Sequence, residues 1–564
     1  MPDQADKSDL LLEQVRERLQ DLERRLSALE KRSELSASPT ATTFRVTRPK
    51  EEKQVRATSV VPVLGKAVLA VAGAYLLRAI AESGAVPRWL PQIVAIGYAG
   101  AWLVWAARRH RKSQFASTVF AMTAAFILTP LLWEGAVHFQ DLTVEFASAV
   151  LVGYVTLSVA LAWRERLEAI PWIAVTAAVG TALALLIATH ELGTLTIALL
   201  AIALITEAAA SSGRWLSLRA VSALGADFAV CVLGILMTSP REVPAGYRSM
   251  SPGEINALCM VLILIYGGSL AVRGFRMARN WTFGEVMQAA VAFGLGTWVS
   301  LRATQGATAT VLGAIFLVLA LVCYWGALQR FAGLEMRWNR RVSTNYAAGL
   351  TLAGILLVCS GNVRAMLLSL AALAAVLLYT RTGYLSLGIH GTFYLLAAGV
   401  VAGLFGYAAR ALAGAVPGWP EWSFWSVSVA GLVSYIVGSR TQREGWKARV
   451  LWVMPAALVG FAVAALVVAA IAGLEAAESS ASRLSMVRTV VTCLMAIGLG
   501  YAGSRWNRVE LGWLAYGAIG LGALKLVLED LRFGNAGTLM VSLLFYGLIL
   551  ILLPRVTRFG RVQI

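Results

Sequence analysis

Residues 60–88, VVPVLGKAVLAVAGAYLLRAIAESGAVPR, form the first apolar run of this chain that is long enough to cross a bilayer. A helix rises about 1.5 Å per residue, so roughly 20 residues match the roughly 30 Å hydrocarbon core. The run also contains Lys66, Arg78 and Glu82. Placing an ionisable group inside a membrane span costs free energy, so each such group needs an explanation. The stretch therefore predicts a membrane-spanning helix that carries charge.

The composition of the whole chain extends this prediction. Its 564 residues are 58% hydrophobic and 14% charged, with a mean hydropathy of +0.70, whereas soluble proteins average about 25% charged residues. An integral membrane protein surrounded by membrane lipids is expected. The net charge of +18 does not indicate nucleic acid as a partner, because Lys and Arg are scattered between apolar runs and are not clustered on one basic face.

About eighteen apolar runs of spanning length follow one another, among them 281–301, 343–360 and 391–412. Alternate loops hold about three times as many Lys and Arg as the loops between them, which by the positive-inside rule predicts that both termini are cytoplasmic. We therefore expect an all-α polytopic transmembrane bundle. A basic inner loop, an outgoing span, a short outer loop and a returning span recur, which indicates hairpin-like repeats. The alternative is that any basic loop entering a span rich in small residues looks similar.

The amino-terminal arm has a different pattern. Apolar residues are spaced alternately by three and four, which is typical of a coiled coil: Leu12, Val15, Leu19, Leu22, Leu26 and Leu29. We expect a cytoplasmic coiled-coil arm at 1–35, a flexible linker at 36–58, a transmembrane domain at 59–554 and a cytoplasmic basic tail at 555–564. Residues 8–35 would form a homo-oligomer or bind a partner helix; alternatively, they pack as an amphipathic helix on their own membrane domain.

The stretch GKAVLAVAGAYLLRAIAESGAVPRW at 65–89 resembles the first membrane segment of the bacterial DUF2339 family. The resemblance covers the arm, the linker, this segment and the general pattern of spans. It implies a multi-pass protein of the bacterial cytoplasmic (inner) membrane with a short amino-terminal coiled coil. The function of that family is unknown, so the resemblance supplies no catalytic residues.

Motifs of several enzyme classes are missing from the sequence. It has no GxxxxGK[ST] phosphate loop, no HExxH, no GxSxG and no paired-cysteine metal spacing. The five cysteines lie in different apolar runs, and the four histidines lie in loops or at span ends. We expect no catalytic residue, no metal and no cofactor.

The candidate substrate- or ion-binding residues are the charges placed within spans. Asp227 stands about eight residues into a span, roughly 12 Å deep, where a carboxyl group would suit proton coupling or cation binding. The pairs Arg78 with Glu82 and Lys525 with Glu529 are each spaced i, i+4, so each pair can meet on one helix face in the outer half of the bilayer. The alternative for both pairs is self-neutralisation within a helix, and the alternative for Asp227 is a structural role as a neutral acid bonded to a neighbouring helix.

Polar groups kept inside spans commonly mark substrate or ion paths. The sequence therefore favours transport or handling of a small or lipid-like envelope substrate. Two alternatives stay open: a membrane scaffold that recruits partners through its coiled coil, and an integral-membrane transferase of envelope glycan or lipid. A polar cavity beside the embedded charges would favour transport or binding, whereas a solid bundle would favour the scaffold.

Overall fold

The computed structural model describes residues 57–82, 87, 89–110, 113–165, 168–211, 218–239, 246–331, 333–440, 446–474 and 481–558. The predicted coiled coil at 1–35, most of the linker at 36–58 and most of the basic tail at 555–564 lie outside the described residues. The chain divides into two units, residues 1–69 and residues 70–564. Of the first unit, only the beginning of helix α1 is described.

The described residues form helices and no strands. Leu-, Val- and Ala-rich runs satisfy all their internal backbone hydrogen bonds as helices, which is what a bilayer requires. The long helices are α1 Ala57–Glu82, α2 Trp89–Arg109, α3 Gln114–Trp133, α4 Val144–Glu165, α5 Ala169–Thr189, α6 Leu192–Ser211, α7 Leu218–Met237, α8 Pro252–Ala271, α9 Phe283–Ala303, α10 Ala309–Trp325, α11 Arg337–Val358, α12 Gly361–Thr382, α13 Leu385–Val401, α14 Leu404–Ala413, α15 Trp422–Arg440, α16 Trp446–Leu474, α17 Ala481–Arg505, α18 Val509–Lys525 and α19 Ala536–Arg558.

By length and composition, fifteen of the described helical segments can cross a membrane. Helices α13 and α14 meet at a bend of 62°, and together they make a sixteenth candidate span. Helices α9 and α11, which fall in the predicted runs 281–301 and 343–360, are helical but are not among these spans. Both carry polar side chains, such as Gln288 in α9 and Asn345 in α11. The multi-pass helical class is confirmed, and the count of eighteen stays a prediction.

Consecutive helices pack as hairpins. The helices that pack most closely are joined by a basic loop, whereas the expected repeat paired helices joined by an outer loop. The sequence pattern paired each outgoing span with the returning span across an outer loop. In the structure the more extensive packing joins α2 with α3, α6 with α7, α8 with α9, α10 with α11, α12 with α13 and α17 with α18. These pairs are connected by the basic loops, so the compact hairpin closes at its basic end.

Small residues allow the closest of these approaches. A Cβ atom at Gly313 of α10 would lie 2.9 Å from the carbonyl oxygen of Gly354, and one at Gly354 of α11 would lie 2.9 Å from the carbonyl oxygen of Gly313. Only glycine fits at both positions, because a Cβ atom would be too close to the opposite backbone. The resulting van der Waals contact between backbones helps to hold membrane helices together. A large buried apolar cluster lies among α11 to α16 and includes Leu404 and Phe424.

Candidate functional site

Among the described residues the ion pairs fall in three clusters, and each cluster includes a residue from a π-helical turn at the end of a long helix. Helix α3 continues as the π turn Glu134–His138, α8 as Val272–Arg276 and α18 as Leu526–Asp530. A π turn bonds i to i+5, is rare, and occurs frequently at functional sites. A fourth π turn, Gly326–Arg330 after α10, holds none of these ion pairs, so the combination of a π turn with an ion pair marks where to look for a site.

The first cluster joins Arg78 of α1 with Glu134. The Arg78 Nη1 atom donates to Glu134 Oε1 at 2.6 Å, and the side chains are 37% and 27% exposed. The side chain of Glu82 lies outside the described residues, so the expected Arg78–Glu82 contact is untested. Glu134 is 56 positions from Arg78, and helical spacing could not indicate this contact.

A cavity of about 400 Å³ lies beside this ion pair. Its polar lining comes from Arg78, Gln92, Glu134 and Asp141, and most of its remaining wall is apolar: Val71, Ala74, Leu77, Ala95, Phe126, Ile127, Pro130 and Leu131. Gln92 is buried, and its Oε1 atom has no hydrogen-bond partner among the described residues. A buried polar atom without a hydrogen-bond partner lowers the stability of the folded protein. Gln92 also lines the cavity, so this unsatisfied acceptor lies beside the cavity, although the oxygen itself is buried.

Asp227 lies buried on α7, away from that cavity. Gln288 of α9 donates through Nε2 to Asp227 Oδ2 at 2.7 Å. The other carboxyl oxygen, Oδ1, is buried without a partner in the described part of the chain, and so is the hydroxyl of Tyr266 on α8. Asp227 thus keeps one oxygen for a proton or a cation.

A second charged cluster, the Glu207 cluster, was not expected from the sequence. It consists of Glu207, Arg219, Arg273 and Glu285, which come from α6, α7, the π turn after α8 and α9. Arg219 donates to Glu207 at 2.5 Å and to Glu285 at 2.7 Å, and Arg273 donates to Glu207 at 3.1 Å and also bonds Glu285. All four side chains are nearly buried. The two basic and two acidic groups neutralise one another at the end of four helices.

Sequence reasoning missed this cluster because each member stands beside a basic loop. There it is indistinguishable from an ordinary interfacial charge. One local signal exists: Thr282 and Glu285 form a capping box, in which Glu285 Oε2 accepts from the Thr282 amide at 2.8 Å. That signal marks the start of α9, whereas the partners of Glu285 Oε1 come from distant segments.

The third cluster, the Arg488 cluster, contains the predicted pair Lys525 and Glu529. Their i, i+4 contact is present, with 3.4 Å between Lys525 Nζ and Glu529 Oε2. Each has a closer partner as well: Lys525 lies 2.6 Å from Asp530 Oδ1, and Glu529 lies 2.6 Å from Arg488 Nη1. Thr489 adds a hydrogen bond of 2.6 Å to Asp530 Oδ2. The predicted pair is thus half of a larger neutral network.

Histidine and metal chemistry add little to these clusters. His390 lies inside α13 and is buried, not at a span end as expected; its Nδ1 is 3.3 Å from the Tyr324 hydroxyl and its Nε2 is 3.3 Å from Asn345 Oδ1. The reason is that α13 begins at Leu385, six residues before the predicted run. Among the described residues, no group of three or more His, Cys, Asp or Glu side chains could hold a metal.

The helices and their buried neutral clusters define the class: a multi-pass α-helical membrane protein. Comparison with known proteins found no matching family model, no matching curated protein and no matching solved structure. The resemblance to the DUF2339 family therefore stays a prediction, and the residues of this chain carry the functional argument.

Proposed function

We propose that this protein binds and handles a lipid-like amphiphile of the bacterial envelope in the cavity beside Arg78 and Glu134. The observation that carries the proposal is the division of that cavity into an apolar wall and a polar end with an unsatisfied acceptor on Gln92. Sites for small ligands are mostly apolar with a few convergent polar groups. An acyl or polyprenyl chain fits the wall, and a headgroup fits the polar end.

The charges of the polar end indicate the kind of headgroup. Arg78 and Glu134 already neutralise one another, and the remaining charged group of the lining, Asp141, is acidic, so an anionic group would gain little. Gln92 Oε1 lacks a donor, and a hydroxyl or amine of the headgroup supplies one when the Gln92 amide turns towards the cavity. Tyr75 and Phe126, which also line the cavity, are largely exposed, so an amphiphile can enter from the surrounding membrane. A polar, hydroxyl- or amine-bearing headgroup without net negative charge is the best match.

We further propose that Asp227 binds a proton or a small cation that couples to this handling. Its free Oδ1 atom and the unpartnered Tyr266 hydroxyl support a site of that kind. The alternative is that Asp227 has a purely structural role and bonds Gln288 alone.

Two other functions are weaker. The coiled-coil pattern at 8–35 supports a scaffold, and removal of residues 1–55 would then change the oligomeric size or the partners on crosslinking while insertion continues. A glycan or lipid transferase lacks support from a catalytic motif. The topology proposed with the main function is an inner-membrane bundle with both termini cytoplasmic, based on the bias of basic residues.

The proposal is tested by analysing which amphiphile co-purifies with the protein. Ala74 lines the cavity, whereas Ala72 on the same helix is exposed and does not. Ala74→Trp should fill the cavity and remove a specific amphiphile from the mass spectrum, while Ala72→Trp should leave it. Equal amounts in both variants and in the wild type would contradict the proposal.

A further inference from the structure

A second cavity of about 830 Å³ lies among α15, α16, α17 and α18, and its lining shares no residue with the first cavity. Its wall is mostly apolar and includes Leu432, Ile436, Val459, Val463 and Leu499. Ligand sites commonly measure about 300–1,000 Å³. The volume is therefore large enough for a headgroup and part of its hydrocarbon chains.

One end of this cavity is basic. Arg440 is the last residue of α15, and Arg508 is the residue immediately before α18; both line the cavity. Neither arginine has an ion-pair partner in the parts of the chain that are described. A nearby acid, Glu510, is buried and accepts a hydrogen bond from Tyr435 at 3.3 Å. The basic end thus has two charges without a compensating acid in its lining.

Aromatic and hydroxyl groups surround these arginines. Trp506, which is largely exposed, lines the cavity beside Arg508, and Ser439 lies beside Arg440. Tryptophan is enriched where a membrane protein meets the headgroup level of the bilayer. This places the two arginines where a lipid phosphate would lie and the apolar wall where its chains would lie.

We propose that this second cavity binds an anionic phospholipid, with its phosphate held by Arg440 and Arg508 and its acyl chains packed along the apolar wall. Arginine binds phosphate through paired hydrogen bonds, and basic pockets between transmembrane helices bind anionic headgroups. A free phosphate ion would leave the apolar wall uncovered. This lipid differs from the proposed ligand of the first cavity, whose headgroup has no net negative charge.

The test is native mass spectrometry of the full chain with phosphatidylglycerol and with phosphatidylcholine. We expect the wild type to retain phosphatidylglycerol preferentially. The double variant Arg440→Gln/Arg508→Gln should bind it about tenfold or more weakly, since each basic group near the headgroup adds appreciable affinity. The control Arg337→Gln/Arg381→Gln removes two charges from exposed residues that do not line the cavity, and it should bind as the wild type does.

A second variant tests the apolar wall without a change of charge. A Cβ atom at Gly498 would meet nothing within 4 Å, and Gly498 lines the cavity. Gly498→Leu should therefore fill the space and lower retention of phosphatidylglycerol, whereas Gly349→Leu, an equally open position on α11, should not. Unchanged retention in both the double arginine variant and Gly498→Leu would overturn the proposal. Displacement of the lipid by inorganic phosphate alone would overturn it too.

Discussion

Arg488 of α17 donates through Nε to the carbonyl oxygen of Ala411, 2.8 Å away, at the carboxyl end of α14. The same guanidinium reaches the carbonyl of Gly414 and pairs with Glu529. The last carbonyls of a helix have no partner within it. A single buried arginine therefore holds the short helix after the 62° bend and links it to the π turn that follows α18.

Arg488→Gln should release α14. The substitution leaves Glu529 with one fewer cation and the α14 carbonyls without their donor, so we expect a loss of stability of about 3–5 kcal/mol. Hydrogen exchange should rise at 404–414. The exposed Arg483, five residues earlier, gives a control, and Arg483→Gln should change neither quantity. Protection of 404–414 equal to that of the wild type would show that Arg488 does not hold α14.

The Glu207 cluster should be a main source of stability. Arg273→Gln would leave a buried acidic charge without one of its two cations, and we expect the free energy of unfolding to fall by about 3–5 kcal/mol. Arg276, three residues later, is exposed, and Arg276→Gln should cost less than about 1 kcal/mol. Thermal unfolding in detergent compares the two. Equal midpoints would contradict a structural role for the cluster.

Asp227→Asn tests cation binding. The amide keeps the shape and can still bond Gln288, so the variant should fold. If wild-type Asp227 binds a cation, replacing choline with sodium should raise the unfolding midpoint, because a ligand that binds the native state stabilises it. The variant should lose that rise. A wild-type midpoint that depends on neither sodium nor potassium would rule out the cation and leave only the proton.

Cysteine labelling tests the topology. Ser249 and Arg276 are both exposed and lie at opposite ends of α8. In a background without the five native cysteines, Ser249→Cys should react with an impermeant reagent added outside, and Arg276→Cys should react only after permeabilisation. The opposite pattern would invert the proposed orientation.

How far the sequence predicts this molecule depends on the range of each interaction. The contact of Lys525 with Glu529 follows from helical spacing, and the start of α8 follows from the Ser251–Glu254 capping box. The contacts of Arg78 with Glu134 and of Arg219 with Glu285 depend on which helices are neighbours. No local pattern encodes that arrangement.

Two polar residues of the proposed sites were also missed, and for a different reason. Gln92 and Gln288 carry no formal charge, so a search for embedded charges passes over them. A lone amide within an apolar run is the signal that could have found both, because an amide in a span must bond another helix or a ligand. Gln288 bonds Asp227, and Gln92 Oε1 has no partner in the described residues.

Photocrosslinking from inside the cavity beside Arg78 and Glu134 shows whether a specific amphiphile occupies it. A photoreactive residue at Phe126 lies in the cavity lining, whereas one at Met122, a turn earlier on α3, is exposed and lies outside it. We expect one discrete adduct at 126, reduced by Ala74→Trp, and a mixture of bulk lipids at 122. The same mixture of bulk lipids at both positions would contradict this expectation.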